Sequence, residues 1–136
     1  MRLDHVGVAC GDAASLAASF AELFDTEIVH EETFDGMRVV FLDVGSDGAD
    51  HDAGPYLELL EPLTDEGAVA RFLDREGAGL HHVALATDDI VAALETAETL
   101  GIETIDDEPR PGAWGHEVAF LHPGLTGGVL VEFVEH

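Results

Sequence analysis

Two histidines and two glutamates occupy equivalent places in the two halves of this 136-residue chain. When the halves are aligned, His82 falls on His5 and Glu132 falls on Glu58. Each His lies on the first apolar run of its half, and each Glu lies on the last one. Because imidazole and carboxylate groups are common ligands of transition metals, this repetition predicts a duplicated module that supplies a metal site.

The surroundings of these residues favour metal binding over an exposed position. A single His or Glu in a strand is more often structural or exposed, but buried carboxylates are rare unless they are paired, and one Glu lies inside the apolar run 57–60. Two imidazoles and two carboxylates suit a divalent first-row ion, and Co²⁺, Ni²⁺, Mn²⁺ and Zn²⁺ are all admissible. Small residues on the histidine faces leave space for a ligand. They are Gly7 beside His5, and Ala84 and Ala86 beside His82.

The elements that must position these residues follow from the hydrophobic periodicity. In each half the pattern predicts a strand, then a helix that begins at an Asp N-cap (Asp12 or Asp89), then three further strands. A further helix, capped by Thr64 and ended by Gly77, joins the two halves. The predicted strands are 3–10, 27–31, 37–44 and 56–60, then 80–86, 103–105, 116–121 and 129–134, with a loop at 109–115. The sequence therefore predicts an α+β fold of two βαβββ modules in a single domain, 1–136. Module one covers about 1–63, the linking helix about 64–77 and module two about 78–136.

The charge of the chain is strongly negative, since 29 acidic and 5 basic residues give a formal net charge of −24. Such a polyanion disfavours nucleic-acid binding. The apolar content is normal, so the acidity indicates a charged shell around a packed core rather than a disordered tail. We interpret it as a halophilic adaptation, because molar salt shortens the Debye length to about 3 Å. A calcium-binding surface is the alternative, but the chain lacks a calcium loop of the required oxygen spacing.

The remaining features point to a protein of the reducing cytoplasm. Cys10 is the single cysteine and excludes an internal disulfide. The strand pattern begins directly after Met1, so we expect no signal peptide, and no apolar run is long enough to span a membrane. His51, between two aspartates, is a weak candidate metal ligand in a loop. No role is assigned to His30, His122 or His136.

Three segments resemble the methylmalonyl-CoA epimerases of the vicinal oxygen chelate superfamily, to which glyoxalase I and extradiol dioxygenases also belong. The first segment is Glu-Leu-Leu-Glu-Pro-Leu at 58–63, and the second is Gly-Leu-His-His-Val-Ala at 79–84. The third is Phe-Leu-His-Pro at 120–123, followed by Gly-Gly-Val-Leu-Val-Glu at 127–132. The resemblance extends over nearly the whole chain.

This resemblance implies a vicinal oxygen chelate fold, with a cupped mixed sheet around a metal site formed by His5, Glu58, His82 and Glu132. It also implies an epimerase of propionate metabolism that acts on a coenzyme A thioester by 1,1-proton transfer. The metal would stabilise an enolate, and Glu132 would serve as both ligand and catalytic base. A homodimer is the expected assembly.

The sequence departs from the family at two places. A second catalytic carboxylate occurs in some members where this chain has Val39, and basic residues expected after the His-Pro turn are replaced by Gly124 and Leu125. The sequence therefore leaves several candidates for the second proton donor. His116, which shares the strand parity of Val118, is one candidate, and Glu32, Asp43 or a metal-bound water are weaker ones.

Two other functions remain as alternatives. A glyoxalase I-type lyase uses the same ligand pattern on a thiol adduct. A non-enzymatic protein that sequesters a small molecule is the other possibility, although such members usually lack the full set of four ligands. Because fold alone does not separate these functions, the choice depends on the site.

Overall fold

A computed structural model describes residues 1–45 and 54–136 of the chain, and its contacts divide these residues into two compact units. The N-terminal unit is His5–His81, and the C-terminal unit comprises Met1–Asp4 and His82–His136. His51, the weak candidate metal ligand, lies outside the described residues. Among the helices described, none combines the length and the apolar character needed to cross a membrane.

The N-terminal unit consists of strands and helices in the predicted order. Its strands follow the spatial order β2-β3-β4-β1, with β1 parallel to β4 and the other neighbours antiparallel. The elements are β1 (Arg2–Ala9, of which His5–Ala9 belong here), α1 (Ala13–Leu23), β2 (Glu27–Phe34), β3 (Met37–Asp43), β4 (Tyr56–Pro62) and α2 (Ala68–Glu76).

The C-terminal unit repeats this arrangement. Its spatial order is β5-β8-β7-β6, with β5 parallel to β8 and the other neighbours antiparallel. The elements are β5 (Gly79–Ala86), α3 (Ile90–Thr99), β6 (Arg110–Pro111), β7 (Glu117–Leu121) and β8 (Val131–Glu135), with 3-10 turns at Ala113–Gly115 and Pro123–Leu125. The predicted α+β class and the twofold βαβββ order are confirmed.

Equivalent aspartates start the two long helices, as the sequence predicts. The Asp12 side chain accepts a hydrogen bond from the Ser15 backbone N–H at 3.0 Å, and the Asp89 side chain accepts one from the Ala92 N–H at 3.0 Å. Each bond satisfies an N–H that has no partner within the helix. Gly77 and Gly101, with φ of 78° and 79°, follow the ends of α2 and α3, where glycine readily adopts the positive φ that leads the chain out of the helix.

Each unit packs its helix against one face of its own strands. In the N-terminal unit, Ala13 and Ala17 of α1 pack on Val40, Leu42 and Leu59. Small alanines let the helix approach the strands closely, and the larger side chains of the strands fill the space between them. The equivalent cluster in the C-terminal unit contains Ile90, Ala93, Leu94, Ala97, Ala119, Leu121 and Phe133. These cores occupy the helix side of the strands, so the opposite side remains for polar residues of the site.

Two local predictions are wrong. Thr64 does not cap α2, which begins at Ala68 after Gly67; the Thr64 hydroxyl instead accepts a hydrogen bond from the Glu66 N–H at 3.3 Å. The segment 103–105 forms only an isolated bridge between Thr104 and Leu121, and the edge strand β6 lies further on, in the segment expected to be a loop.

The side chain of Asp106 explains the second error. Its carboxylate accepts a hydrogen bond from the Phe120 backbone N–H at 2.9 Å, so a side chain takes the place that a strand carbonyl would have. Pairing with β7 resumes only at Arg110, which lies opposite Val118.

Candidate metal centre

The first half of the site lies in the N-terminal unit, where His5 and Glu58 face each other. His5 is on β1 and Glu58 is on the parallel neighbour β4, two residues beyond the direct partner of His5, Tyr56. Their Nε2 and Oε1 atoms are 3.6 Å apart, and the residues are only 4% and 6% exposed. Burial of a carboxylate is costly, and the neighbouring imidazole is a polar partner that lowers this cost.

An aromatic ring holds the imidazole of this pair in place. Phe41 lies directly opposite Glu58 on β3, so both side chains project from the same face. The Phe41 ring meets the His5 ring edge to face, with a centroid distance of 5.8 Å and an interplanar angle of 85°. Such contacts are favourable for aromatic pairs and restrict rotation of the imidazole.

The second half of the site repeats these contacts within the C-terminal unit. His82 Nε2 lies 3.7 Å from Glu132 Oε2, and each residue is 5% exposed. Phe120 is directly opposite Glu132, and its ring meets the His82 ring at 5.5 Å and 80°. The sequence repeat therefore extends to three-dimensional contacts, since each unit holds one His, one Glu and one Phe in the same register.

A pair of glutamates that the sequence reasoning missed connects each half-site to its helix. Glu61, three residues after Glu58, accepts a hydrogen bond from the Ala13 N–H at the start of α1 at 2.8 Å. Glu135, three residues after Glu132, accepts one from the Ile90 N–H at the start of α3 at 3.0 Å. A carboxylate at a helix N-terminus satisfies an open donor and interacts favourably with the helix dipole.

The donor groups in each half-site fit a bound divalent cation. Bond lengths of 2.0–2.2 Å from a metal to nitrogen and oxygen place neighbouring ligand atoms about 3.0–3.4 Å apart in octahedral or tetrahedral geometry. The observed separations of 3.6 Å and 3.7 Å are slightly longer and exceed a normal hydrogen bond. Small adjustments would bring each pair to the spacing of two adjacent metal ligands.

The relationship to known proteins agrees with this chemistry. Residues 4–120 match the model of the Glyoxalase/Bleomycin resistance protein/Dioxygenase superfamily. The chain belongs to this superfamily. It is 34% identical to human mitochondrial methylmalonyl-CoA epimerase over 96% of this chain and 72% of that protein. It is 33% identical to an ethylmalonyl-CoA/methylmalonyl-CoA epimerase of Cereibacter sphaeroides, over 96% of this chain and 95% of that one.

A solved structure extends the similarity to the fold. A variant of Streptomyces coelicolor methylmalonyl-CoA epimerase, in complex with 2-nitronate-propionyl-CoA, matches with a TM-score of 0.91 at 34% identity. The match covers 99% of this chain and 96% of that chain. The vicinal oxygen chelate fold expected for a member of this superfamily is thus confirmed.

His116, the candidate for the second proton donor in the sequence, lies away from the His82–Glu132 pair. It precedes β7 by one residue and is four residues from Phe120, the residue opposite Glu132. At about 3.4 Å per residue, this is roughly 14 Å along the strand. The strand register therefore does not place His116 beside Glu132.

The surroundings of His116 indicate a packing role instead. Its ring stacks on the ring of His136 at 3.9 Å and on that of Trp114 at 5.8 Å. His136, to which the sequence assigned no role, also pairs through Nε2 with the buried carboxylate of Asp4. The stack and the ion pair together fix the last residue of the chain against the start of β1.

Proposed function

We propose that this protein is a metal-dependent methylmalonyl-CoA epimerase, which interconverts two stereoisomers by moving one proton at the α-carbon. The observation that carries the proposal is the repeated, buried His–Glu pair in each unit. The named epimerases, similar over nearly the whole chain, support this substrate over others available to the superfamily.

We propose that His5, Glu58, His82 and Glu132 together hold one divalent cation in a single domain formed by both modules. Two neutral imidazoles and two carboxylates balance the charge of such an ion and are acceptable to Co²⁺, Ni²⁺, Mn²⁺ or Zn²⁺. When bound, the cation supplies Lewis-acid stabilisation of negative charge on the substrate oxygens. The burial of all four ligands lowers the local dielectric constant and strengthens this interaction.

In this mechanism Glu132 moves the proton on one face of the substrate. The α-carbon lies between a thioester and a carboxylate, so the electron pair left by its proton delocalises onto the thioester oxygen as an enolate. The Glu132 carboxylate takes the proton, and a second group returns a proton to the opposite face. The Phe120 ring opposite Glu132 and the hydrogen bond that Glu135 accepts from the Ile90 N–H of α3 keep strand β8 in position.

The other partners and the setting form part of the same proposal. The substrate is a coenzyme A thioester, the protein works in the cytoplasm on propionate-derived carbon, and the active form is a homodimer. A substrate of this kind carries several negative charges and approaches a chain with a net charge of −24. We expect salt to assist this encounter, because screening weakens like-charge repulsion.

Proton NMR of methylmalonyl-CoA in heavy water tests the function directly. The purified protein, loaded separately with Co²⁺, Ni²⁺, Mn²⁺ or Zn²⁺, should exchange the α-proton for deuterium and invert the stereocentre. The glyoxalase alternative predicts turnover of the methylglyoxal–thiol adduct and no exchange at methylmalonyl-CoA. Tight binding of a small molecule without turnover of either substrate would instead favour the sequestering protein.

A further inference from the structure

Inversion at the α-carbon requires a second proton-transfer group, because a single carboxylate can return the proton only to the face from which it came. Val39, where a carboxylate occurs in some family members, is fully buried and has no proton to give. In the C-terminal unit, Val118 is the repeat equivalent of Val39, and its partner across the strands is Arg110. Arg110 is always protonated and pairs with Asp106 at 2.9 Å, so it is not an acid of the required strength.

The N-terminal unit offers several titratable side chains on the face that carries Glu58. Residues directly opposite in an antiparallel pair share a face, so the register of β2, β3 and β4 identifies them. Phe41 lies between Glu58 and His30, and Val39 lies between Leu60 and Glu32. Among the described residues of these strands, the titratable side chains on this face are Glu27, His30, Glu32, Asp43, Tyr56 and Glu58 itself.

The solvent exposure of their side chains distinguishes these candidates. Asp43 and Tyr56 are buried, and the Asp43 carboxylate accepts a hydrogen bond from the Gly45 N–H at 3.0 Å, which suits a structural role. Glu27 is exposed at the first residue of β2. Glu32 lies between these extremes, because 28% of its side chain is exposed and water can therefore reset its proton.

The hairpin turn places Glu32 beside Val39. Asp35 and Gly36 have φ values of 49° and 74°, the conformation of a two-residue turn that fixes the register of the strands on either side. Glu32 is thereby held directly opposite Val39, and the Cβ atoms of such a pair are about 4.5–5.5 Å apart. A carboxylate from β2 can therefore lie over the space that a carboxylate at position 39 would fill.

We propose that Glu32 is the second proton-transfer group of the reaction and that His30 positions it. His30 Nε2 lies 3.5 Å from Glu32 Oε1, and the His30 ring rests 6.1 Å from that of Phe41, the residue that also contacts His5. The pair thus connects the edge strand to the His5–Glu58 half-site through one aromatic ring. This inference rests on the proposed epimerase function.

The proton balance of the step is as follows. For one stereoisomer, the C–H bond breaks, its proton passes to the Glu132 carboxylate, and its electron pair forms the enolate. The protonated Glu32 then donates its proton to the opposite face of the same carbon, and a new C–H bond forms. Glu132 ends protonated and Glu32 ionised, and proton exchange with water resets both groups. The reverse direction exchanges their roles.

Glu32→Gln separates exchange from inversion. With one stereoisomer the variant should still exchange the α-proton, with retention of configuration, at a rate close to that of the unaltered protein. Inversion, measured by supplying an enzyme that consumes a single stereoisomer, should fall at least ~100-fold, as expected for loss of a general acid. The other stereoisomer, whose proton faces Glu32, should neither exchange nor invert.

Glu31→Gln is the matched control. This substitution also removes one negative charge from β2, but at an exposed residue on the opposite face of the strand. Glu32→Asp, which keeps the acid but shortens it, should recover part of the inversion. His30→Gln should lower kcat for inversion and leave KM nearly unchanged, because His30 acts through Glu32 and does not hold the substrate.

Two results have different meanings. Glu32→Gln with inversion equal to that of Glu31→Gln overturns this inference and leaves the epimerase function intact. Absence of both exchange and inversion in the unaltered, metal-loaded protein overturns the proposed function, and the role of Glu32 with it. Bound metal and the thermal midpoint, measured for every variant, identify any loss that comes from unfolding.

Discussion

Removal of a metal ligand should abolish the stabilisation that a bound cation gives to the folded protein. A cation present at 100 times its Kd stabilises the fold by about 2.7 kcal/mol. For a chain of this size, that corresponds to a rise in thermal midpoint of about 8–13 °C, at roughly 3–5 °C per kcal/mol. We therefore expect the chelated protein to unfold at a midpoint lower by this amount than the metal-loaded protein.

His82→Gln is the most informative variant for this measurement. His82 and Glu132 are buried, so breaking their pair lowers stability even without metal, by as much as ~3–5 kcal/mol when a charge is left without a partner. Glutamine keeps a polar group near Glu132 and reduces that penalty. The decisive quantity is therefore the difference between metal-loaded and chelated midpoints, which should fall to near zero in the variant.

The adjacent histidine provides the control. His81 points to the other side of β5, where its ring meets Phe72 of α2 at 5.1 Å. His81→Gln should keep the full metal-dependent rise and bind one equivalent of metal by elemental analysis. Equal metal content in His82→Gln, His5→Gln and the unaltered protein would refute the assignment of these histidines as ligands.

Three further predictions concern the acidic surface, the helix anchors and the cysteine. With a net charge of −24, the thermal midpoint should be lower in dilute buffer than in molar KCl, and an unchanged midpoint would contradict a halophilic adaptation. In urea denaturation, Glu61→Gln and Glu135→Gln should each lose about 1–2 kcal/mol of unfolding free energy, because a charged acceptor is removed from a helix N-terminus. Glu31→Gln should stay within about 0.5 kcal/mol, so an equal loss there would rule out a specific role for the anchors. Burial raises the pKa of the Cys10 thiol, so a disulfide reagent should label the native protein slowly and the urea-denatured protein completely; prompt native labelling would disagree with the buried position.

Much of the fold could be predicted because the two halves of the chain repeat each other. Strand alternation placed each His and each Glu on one face of its strand, and the structure adds that Phe41 and Phe120 lie opposite Glu58 and Glu132. Such patterns depend on residues close together in sequence, where burial and strand period act directly.

Other features depend on contacts between distant residues and were not predicted. Glu61 and Glu135 look like exposed strand ends in sequence, although their recurrence three residues after each candidate ligand was a usable signal. Glu32 was one of the weaker candidates for the second proton donor, and counting outwards from the Asp35–Gly36 turn, which sets its register against Val39, would have favoured it over His116. Parity alone could not show this, because it identifies a face but not a partner on the neighbouring strand.

The two units are similar at their centres and different at their edges. Each centre holds the same His, Phe and Glu, and each Glu strand is anchored to a helix by a second Glu. At the edges, the residue opposite Val39 is acidic, Glu32, whereas the residue at the equivalent position in the C-terminal unit is basic, Arg110. The guanidinium of Arg110 lies 5.5 Å from the centre of the Phe120 ring. A cation is symmetric and can use a duplicated set of ligands, but a thioester with a free carboxylate at one end is not. We therefore expect substitutions at the repeated centre to affect metal binding similarly in both units, while substitutions at the two edges affect the stereoisomers unequally.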